Sequence, residues 1–284
     1  MARLQRGLPL LLSAGRRAFE RRAELNAYHA QQLFGPLSYW NAAAQFLRLQ
    51  MPQRTHVDLR EFLDGAAFAG TQHQLAANSL AFAKFTLSSQ NASAVEAGEK
   101  EEQQVAPDSE ELLALCATVD DATSAATAEQ LEAICSPRMF TGLVDARRRA
   151  LREGNLLIEI QELKIDTIAV ERILYMQFTE SDYADLVHGR RSLTALSSPD
   201  ATSEHLFIQV SAQTTEIHKM TLVGQEVALV EQQNRRTWAF ESDATDPDSL
   251  DWRILDDYGI NVSARELEAR RHLKGSGPSD GATA

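Results

Sequence analysis

Residues 151–165 read LREGNLLIEIQELKI, and the period of the apolar residues changes inside them. Upstream, PRMFTGLVDARRRALRE (137–153) has helical spacing, with Pro137 suited to the first helical position and Gly154 to a left-handed stop. Downstream, Ile158, Ile160 and Leu163 are set against Glu159, Gln161 and Glu162, the pattern of a half-buried strand. Further β runs follow at 167–178, 205–220, 225–232, 238–241 and 252–255, with a polar loop at 180–203. Helices first and then consecutive strands is the order of an α+β domain. It implies N-terminal helices packed on one face of a curved antiparallel β-sheet.

Upstream, the segment DLREFLDGAAFAGTQHQLAANSLAFAKF (58–85) starts at Asp58, whose carboxylate can cap a helix that has Glu61 at its third position. Leu59, Phe62, Leu63, Ala66 and Ala69 share one side of that helix. The small residues Gly65, Ala66 and Ala67 would let another element approach closely. Between them and the N-terminus, a helix is expected after Gly35-Pro36, with Trp40, Phe46, Leu47 and Leu49 as its apolar face. Only Arg48 there could meet lipid headgroups, which favours packing on the domain over a membrane surface. Residues 88–107 are polar and charged and read as a disordered insertion. Thr127 and Gln130 have the spacing of a capping box. The organisation expected is a presequence at 1–22, a helical extension at 23–57, a domain helix at 58–87 and the insertion at 88–107. The main α+β domain then occupies 108–258, with a tail at 259–284.

Charge divides the chain of 284 residues. Six arginines within the first 22 residues, Arg3, Arg6, Arg16, Arg17, Arg21 and Arg22, face one acid, Glu20. That leader carries +5 against a whole-chain −12, so the remainder carries −17. Spaced arginines among Leu8, Leu10, Leu11, Leu12 and Phe19 resemble a mitochondrial presequence. The alternative is an ordinary basic amphipathic helix. A body at −17 repels phosphate backbones, so no direct nucleic-acid contact is expected. Cys116 and Cys135 lie in apolar helical patterns and read as buried thiols. No apolar run approaches the roughly 20 residues that span a bilayer, so any membrane contact would be peripheral.

Convergent chemistry is sparse. There is no phosphate-cradling glycine loop, G-x-S-x-G, H-E-x-x-H or C-x-x-C. No two histidines fall at i, i+2 or i, i+4. His205 and His218 bound one strand and are the candidates for acid–base work in a pocket beside Asp166. The stretch TWAFESDATDPDSLDWRILDD (237–257) holds Glu241, Asp243, Asp246, Asp248 and Asp251. Counted from Asp246 as a calcium loop, position 6 is Asp251 instead of Gly and position 12 is Asp257 instead of Glu, so these acids read as a solvated turn. No catalytic, cofactor-binding or metal-ligating residue is expected. The aromatic residues of the stretch are more informative. Trp238 and Phe240 share one face of a strand, and Trp252 and Ile254 repeat the pattern on the next, as fold anchors or pocket lining.

These residues carry a resemblance. MFTGLVDARRRALREG (139–154), the β run after it and the ending TWAFESDATDPDSLDWRILDD are similar to the Tim44-like domain family, an NTF2-like α+β fold. Trp238-Ala239-Phe240-Glu241 and Trp252-Arg253-Ile254 occupy the positions of that family's two closing strands, with Ser242 where a basic residue is usual. REFLDGAAFA (60–69) is similar to the branch that interacts with the matrix AAA protease. The resemblance covers about 55–85 and 108–258. It implies a non-enzymatic adaptor or chaperone-like factor of the mitochondrial matrix, peripheral on the inner membrane. Its implied partners are the matrix AAA protease and newly made inner-membrane proteins.

Three other branches are weighed against that reading. A Tim44-like component of the mitochondrial ribosome's large subunit would need a basic, RNA-contacting surface, which −17 opposes. An import-motor anchor would carry a long charged coiled coil before the domain, and an NTF2-like enzyme would need convergent carboxylate and histidine groups.

Overall fold

The computed structural model describes residues 2–97, 114–153, 156–187, 200–222 and 225–269. Five helices open the chain: α1 (Ala2–Glu20), α2 (Arg22–Ala30), α3 (Tyr39–Leu49), α4 (Leu59–Ala77) and α5 (Leu80–Ala97). Then come α6 (Asp121–Ile134) and α7 (Pro137–Glu153), β1 (Leu156–Phe178), α8 (Glu180–Val187), β2 (Ser203–Leu222), β3 (Gln225–Asp243) and β4 (Arg253–Ala269). Among the described residues no helix is long and apolar enough to cross a membrane.

Local chemistry accounts for most helix starts. The Asp58 carboxylate accepts from the N–H groups of Arg60 and Glu61, capping α4 as the sequence predicts. Ser38 caps α3 through Asn41 N–H. Helix α6 begins six residues before the expected capping box, because Asp120 accepts from Thr123 N–H at 2.7 Å. Thr127 instead bonds back to the Thr123 carbonyl and Gln130 reaches Gln72 across to α4. Helix α5 continues through 88–97, where an insertion without structure was expected; Ala92, Ala94 and Ala97 are good helix formers. Residues 98–107 of that stretch, and Gly154, lie outside the described residues.

The strands form one antiparallel sheet in the order β1-β2-β3-β4, so the class is α+β. They are longer than the sequence pattern suggests, at 23, 20, 19 and 17 residues. The runs read separately at 156–165 and 167–178 join across bulges near Ile160, Ile165 and Val170, each of which adds local twist and bend. The runs at 225–232 and 238–241 join through Gln233–Thr237, which is too polar to read as a buried strand. Beyond Tyr258, where the tail was expected, β4 stays paired with β3 to Ala269.

Helices α2 to α4 cover one face of the sheet. Leu25, Tyr28, Phe34, Phe46 and Leu49 of the supposed extension share a core with Phe62 and Leu63 of α4 and with Val170, Ile173, Ile208, Val210, Trp238, Phe240 and Ile254 of the sheet. Trp40 departs from its expected place: it is exposed, while Ala42, Phe46 and Leu49 form the buried side of α3. Gly70 of α4 lies directly on the Trp238 indole, where an added Cβ would come within 2.9 Å of three ring carbons. The close approach expected at Gly65 therefore occurs five residues on. At the N-terminus, α1 is held by buried Ala14 and by Arg17, whose guanidinium donates to the carbonyls of Gln50 and Met51. On the opposite face, the described residues covering the sheet are those of α8, where Tyr183 and Leu186 pack with Met176, Phe178 and Phe207.

Candidate functional site

The four expected anchors separate into two roles. Trp238, Phe240 and Ile254 are core residues, Phe240 and Ile254 being cross-strand partners. Trp252 precedes β4 and is only partly buried, with its ring edge-on to Phe62 at 4.7 Å. Phe62 in turn meets Phe240 edge-on at 5.6 Å. These three rings, with Gly65, Ala66 and Ala69 of α4, line a groove of about 410 Å³. Asp58 and Glu61 stand on its rim, and Gly65 opens onto free space: a Cβ there would meet nothing within 4 Å. His56, also on the rim, has its ring Nε2 2.7 Å from Arg21, and burial together with the Arg21 charge pushes it toward the neutral form. The groove thus has an apolar floor and two carboxylates at its mouth.

A second set of groups lies further along the helix-covered face. Glu216 is fully buried. Its Oε1 and Oε2 accept from Arg236 Nε (2.9 Å) and Nη2 (2.8 Å), a paired-fork geometry, and Thr214 donates to it at 2.7 Å. His218 Nε2 lies 2.8 Å from Oε2. Burial alone would raise this carboxyl; the bonds from His218 and Arg236, the Arg236 charge and Thr214 outweigh it and hold the group well below the usual carboxylate range. Next to Arg236, Asp257 of β4 accepts from Gln74 Nε2 and stands 3.7 Å from His73 Nδ1. Burial pushes His73 below its ordinary value against the pull of Asp257. Cys135 is also buried here, and burial plus the Asp257 charge push its thiol up to about 12, so it is inert as a nucleophile at neutral pH.

The third set is on the opposite face, at the other end of β2. His205 Nδ1 lies 2.6 Å from Glu241 Oε1, and Tyr183 of α8 donates to the same oxygen at 3.0 Å. Ser203 Oγ is 3.1 Å from His205 Nε2. Serine, histidine and carboxylate stand here in the order of nucleophile, base and orienting acid. Ser203 Oγ, however, also lies 3.3 Å from the Phe178 carbonyl, to which it can donate, and the imidazole is stacked on Tyr183 at 4.2 Å. The network pins α8 to the sheet.

A pocket uniting His205 and His218 beside Asp166, the acid–base alternative to exposed or satisfied strand histidines, does not form. The two histidines are thirteen residues apart on one strand, an odd spacing that sends them to opposite faces. Asp166 pairs at the surface with Lys164 (2.9 Å) and Thr215 (2.7 Å). Glu241 was grouped with the solvated acids of its stretch; it is buried and bonded to His205. Of the others, Asp243 accepts from Thr245 N–H, Asp246 caps the 3-10 turn Pro247–Ser249 through Asp248 N–H, and Asp251 pairs with Arg253. Among the described residues no group of three or more His, Cys, Asp or Glu is placed to hold a metal ion. Glu216, Arg236 and Asp257 escape a reading based on local motifs. The available signal was alternation: Glu216 and His218 lie in step with Ile208 and Val210, and Arg236 in step with Trp238, which puts polar groups on the buried face.

No family model, curated protein or solved structure matches this chain.

Proposed function

We propose that the chain is a non-enzymatic adaptor of the mitochondrial matrix, Tim44-like in fold and peripheral on the inner membrane, which holds basic, apolar segments of protein partners in the groove beside Trp252. The matrix AAA protease and newly made inner-membrane proteins are the partners this reading names. The observation that carries it is the groove: an aromatic and alanine floor takes an apolar side chain while Asp58 and Glu61 at the mouth attract a basic flank. A body charge of −17 outside the leader adds long-range attraction for such a partner. The closing strands, with Trp238-x-Phe240 and then Trp252-x-Ile254, support the Tim44-like reading. The arginine-spaced leader supports matrix targeting. Beyond the leader, exposed Trp40, with Arg48 also on the surface, supplies the chemistry of a peripheral membrane face.

The test is affinity purification of the tagged protein from gently solubilised mitochondria, with wild type beside Gly65→Met. Met at 65 projects into open space and fills the groove without disturbing the core, so the protease should be recovered with wild type and lost with the variant. Recovery of large-subunit ribosomal proteins without the protease would reject this reading in favour of the ribosomal one. Resistance to carbonate extraction would contradict peripheral attachment.

A further inference from the structure

Strand β4 is an edge of the sheet, and the described residues protect its outer side only at its start, where Ser136 N–H donates to the Ile254 carbonyl at 2.8 Å. From Tyr258 to Leu267 every residue is exposed, including Tyr258 (61%), Ile260 (49%) and Val262 (68%). The stretch Asp256–Leu267 contains neither proline nor lysine, two of the residues with which proteins blunt an edge; its charges are Asp256, Asp257, Arg265 and Glu266, and it bulges at Val262. A bare strand of this composition is a template for another strand.

We infer that this edge pairs with the same edge of a second copy of the chain, antiparallel about a two-fold axis at Ile260. The register with β3 decides which side chains would meet. Asp256, Tyr258, Ile260, Ser263 and Arg265 lie opposite Ala239, Thr237, Arg235, Gln233 and Glu231, all on the sheet face away from α2–α4, with Val262 as the extra residue of a bulge. Reversed on itself about Ile260, this face sets Ile260 against its own copy and Tyr258 against Ser263. It sets Asp256 against Arg265 twice, once on each side of the axis. An acid at one end and a base at the other is the charge pattern that complements itself when antiparallel; a parallel arrangement would oppose like charges. The apolar centre and the two outer ion pairs therefore fit a second copy, and the pairing joins two four-stranded sheets into one of eight strands.

Sedimentation velocity on the purified full chain tests this. Wild type should form a dimer at micromolar concentration. Ile260→Lys, at an exposed position, should give monomer with an unchanged circular dichroism melt. Asp256→Arg and Arg265→Asp, each alone, should weaken dimerisation by about tenfold or more, and the double variant should restore it, since the two charges exchange places. A wild type that stays monomeric at about 100 micromolar, where a micromolar dimer would be largely associated, overturns the inference. So does a dimer indifferent to Ile260→Lys, or a double variant no better than the singles. The groove at Gly65 is not involved, so Gly65→Met should leave the dimer intact and partner capture can fail independently of this result.

Discussion

The helix-covered face of β2 has two halves built on one alternation. From Leu206 through Ile208, Val210 and Ala212 it is hydrocarbon packed on Phe240, Trp238 and Ile254; from Thr214 through Glu216 to His218 it is a buried ionic network closed by Arg236. The difference teaches how unlike in kind the two halves are. The apolar half gains from area removed from water and is indifferent to direction. The ionic half balances desolvation against directed bonds and is secure only while every partner is present.

The largest expected effect tests the apolar half. Trp238→Ala removes the largest fully buried side chain and should lower unfolding free energy by about 3–5 kcal/mol in urea titration. Gly70→Ala strikes the same contact from the other side, forcing a methyl against the indole, and should cost about 1–3 kcal/mol. If Gly70→Ala is neutral, α4 can slide over Trp238 and the apolar half is looser than its contacts imply.

In the ionic half, removing one partner should cost far more than removing both. Glu216→Leu leaves Arg236 largely buried without its carboxylate and should cost about 3 kcal/mol, whereas Glu216→Leu combined with Arg236→Met should recover most of the loss. Equal losses in the single and double variants would mean that shape, and not charge, matters here. The halves should also respond differently to acid. The Glu216 pKa is depressed in the fold, so its contribution is present above the ordinary 4.5 and lost as pH falls below that value. His73 is held below its ordinary 6.5, so an unfolded chain takes up a proton that the fold resists, and stability declines first as pH drops under 6.5. Replacing His73 by Phe should reduce that first decline, to which His56 also contributes, and leave the second; thermal melts from pH 8 to 4 would show it.

The smallest effects lie at the surface. Gly65→Ala, in the same helix as Gly70 but facing the open groove, should stabilise by about 0.5–1 kcal/mol through helix propensity. Asp248→Asn, on the exposed 3-10 turn, should stay within about 0.5 kcal/mol.

Much of the first half was legible in the chain. The switch of period near Gly154 places helices before strands, Asp58 announces its own helix, and Trp238 with Phe240 declares a buried face. The candidate groove was half legible: Trp252 and the small residues of α4 are visible, but the difference between Gly65 and Gly70 depends on which turn of α4 meets Trp238. The second half was nearly silent. Gln233–Thr237 looks like a break because a charge in a buried strand, that of Arg236, is implausible until its partner, twenty residues away in Glu216, is known.

By itself, then, the sequence established the class of the fold, the leader-like charge of its start, and the apolar anchors. Those follow from period, capping and composition, which are local properties carried by neighbouring residues. Only the tertiary structure decided that His205 and His218 serve different carboxylates on opposite faces, that Glu241 is buried, and that β4 stays paired with β3 to Ala269, exposed among the described residues from Tyr258 to Leu267. Strand register and partner identity are long-range, and a one-residue shift exchanges which side chains are buried and which meet water.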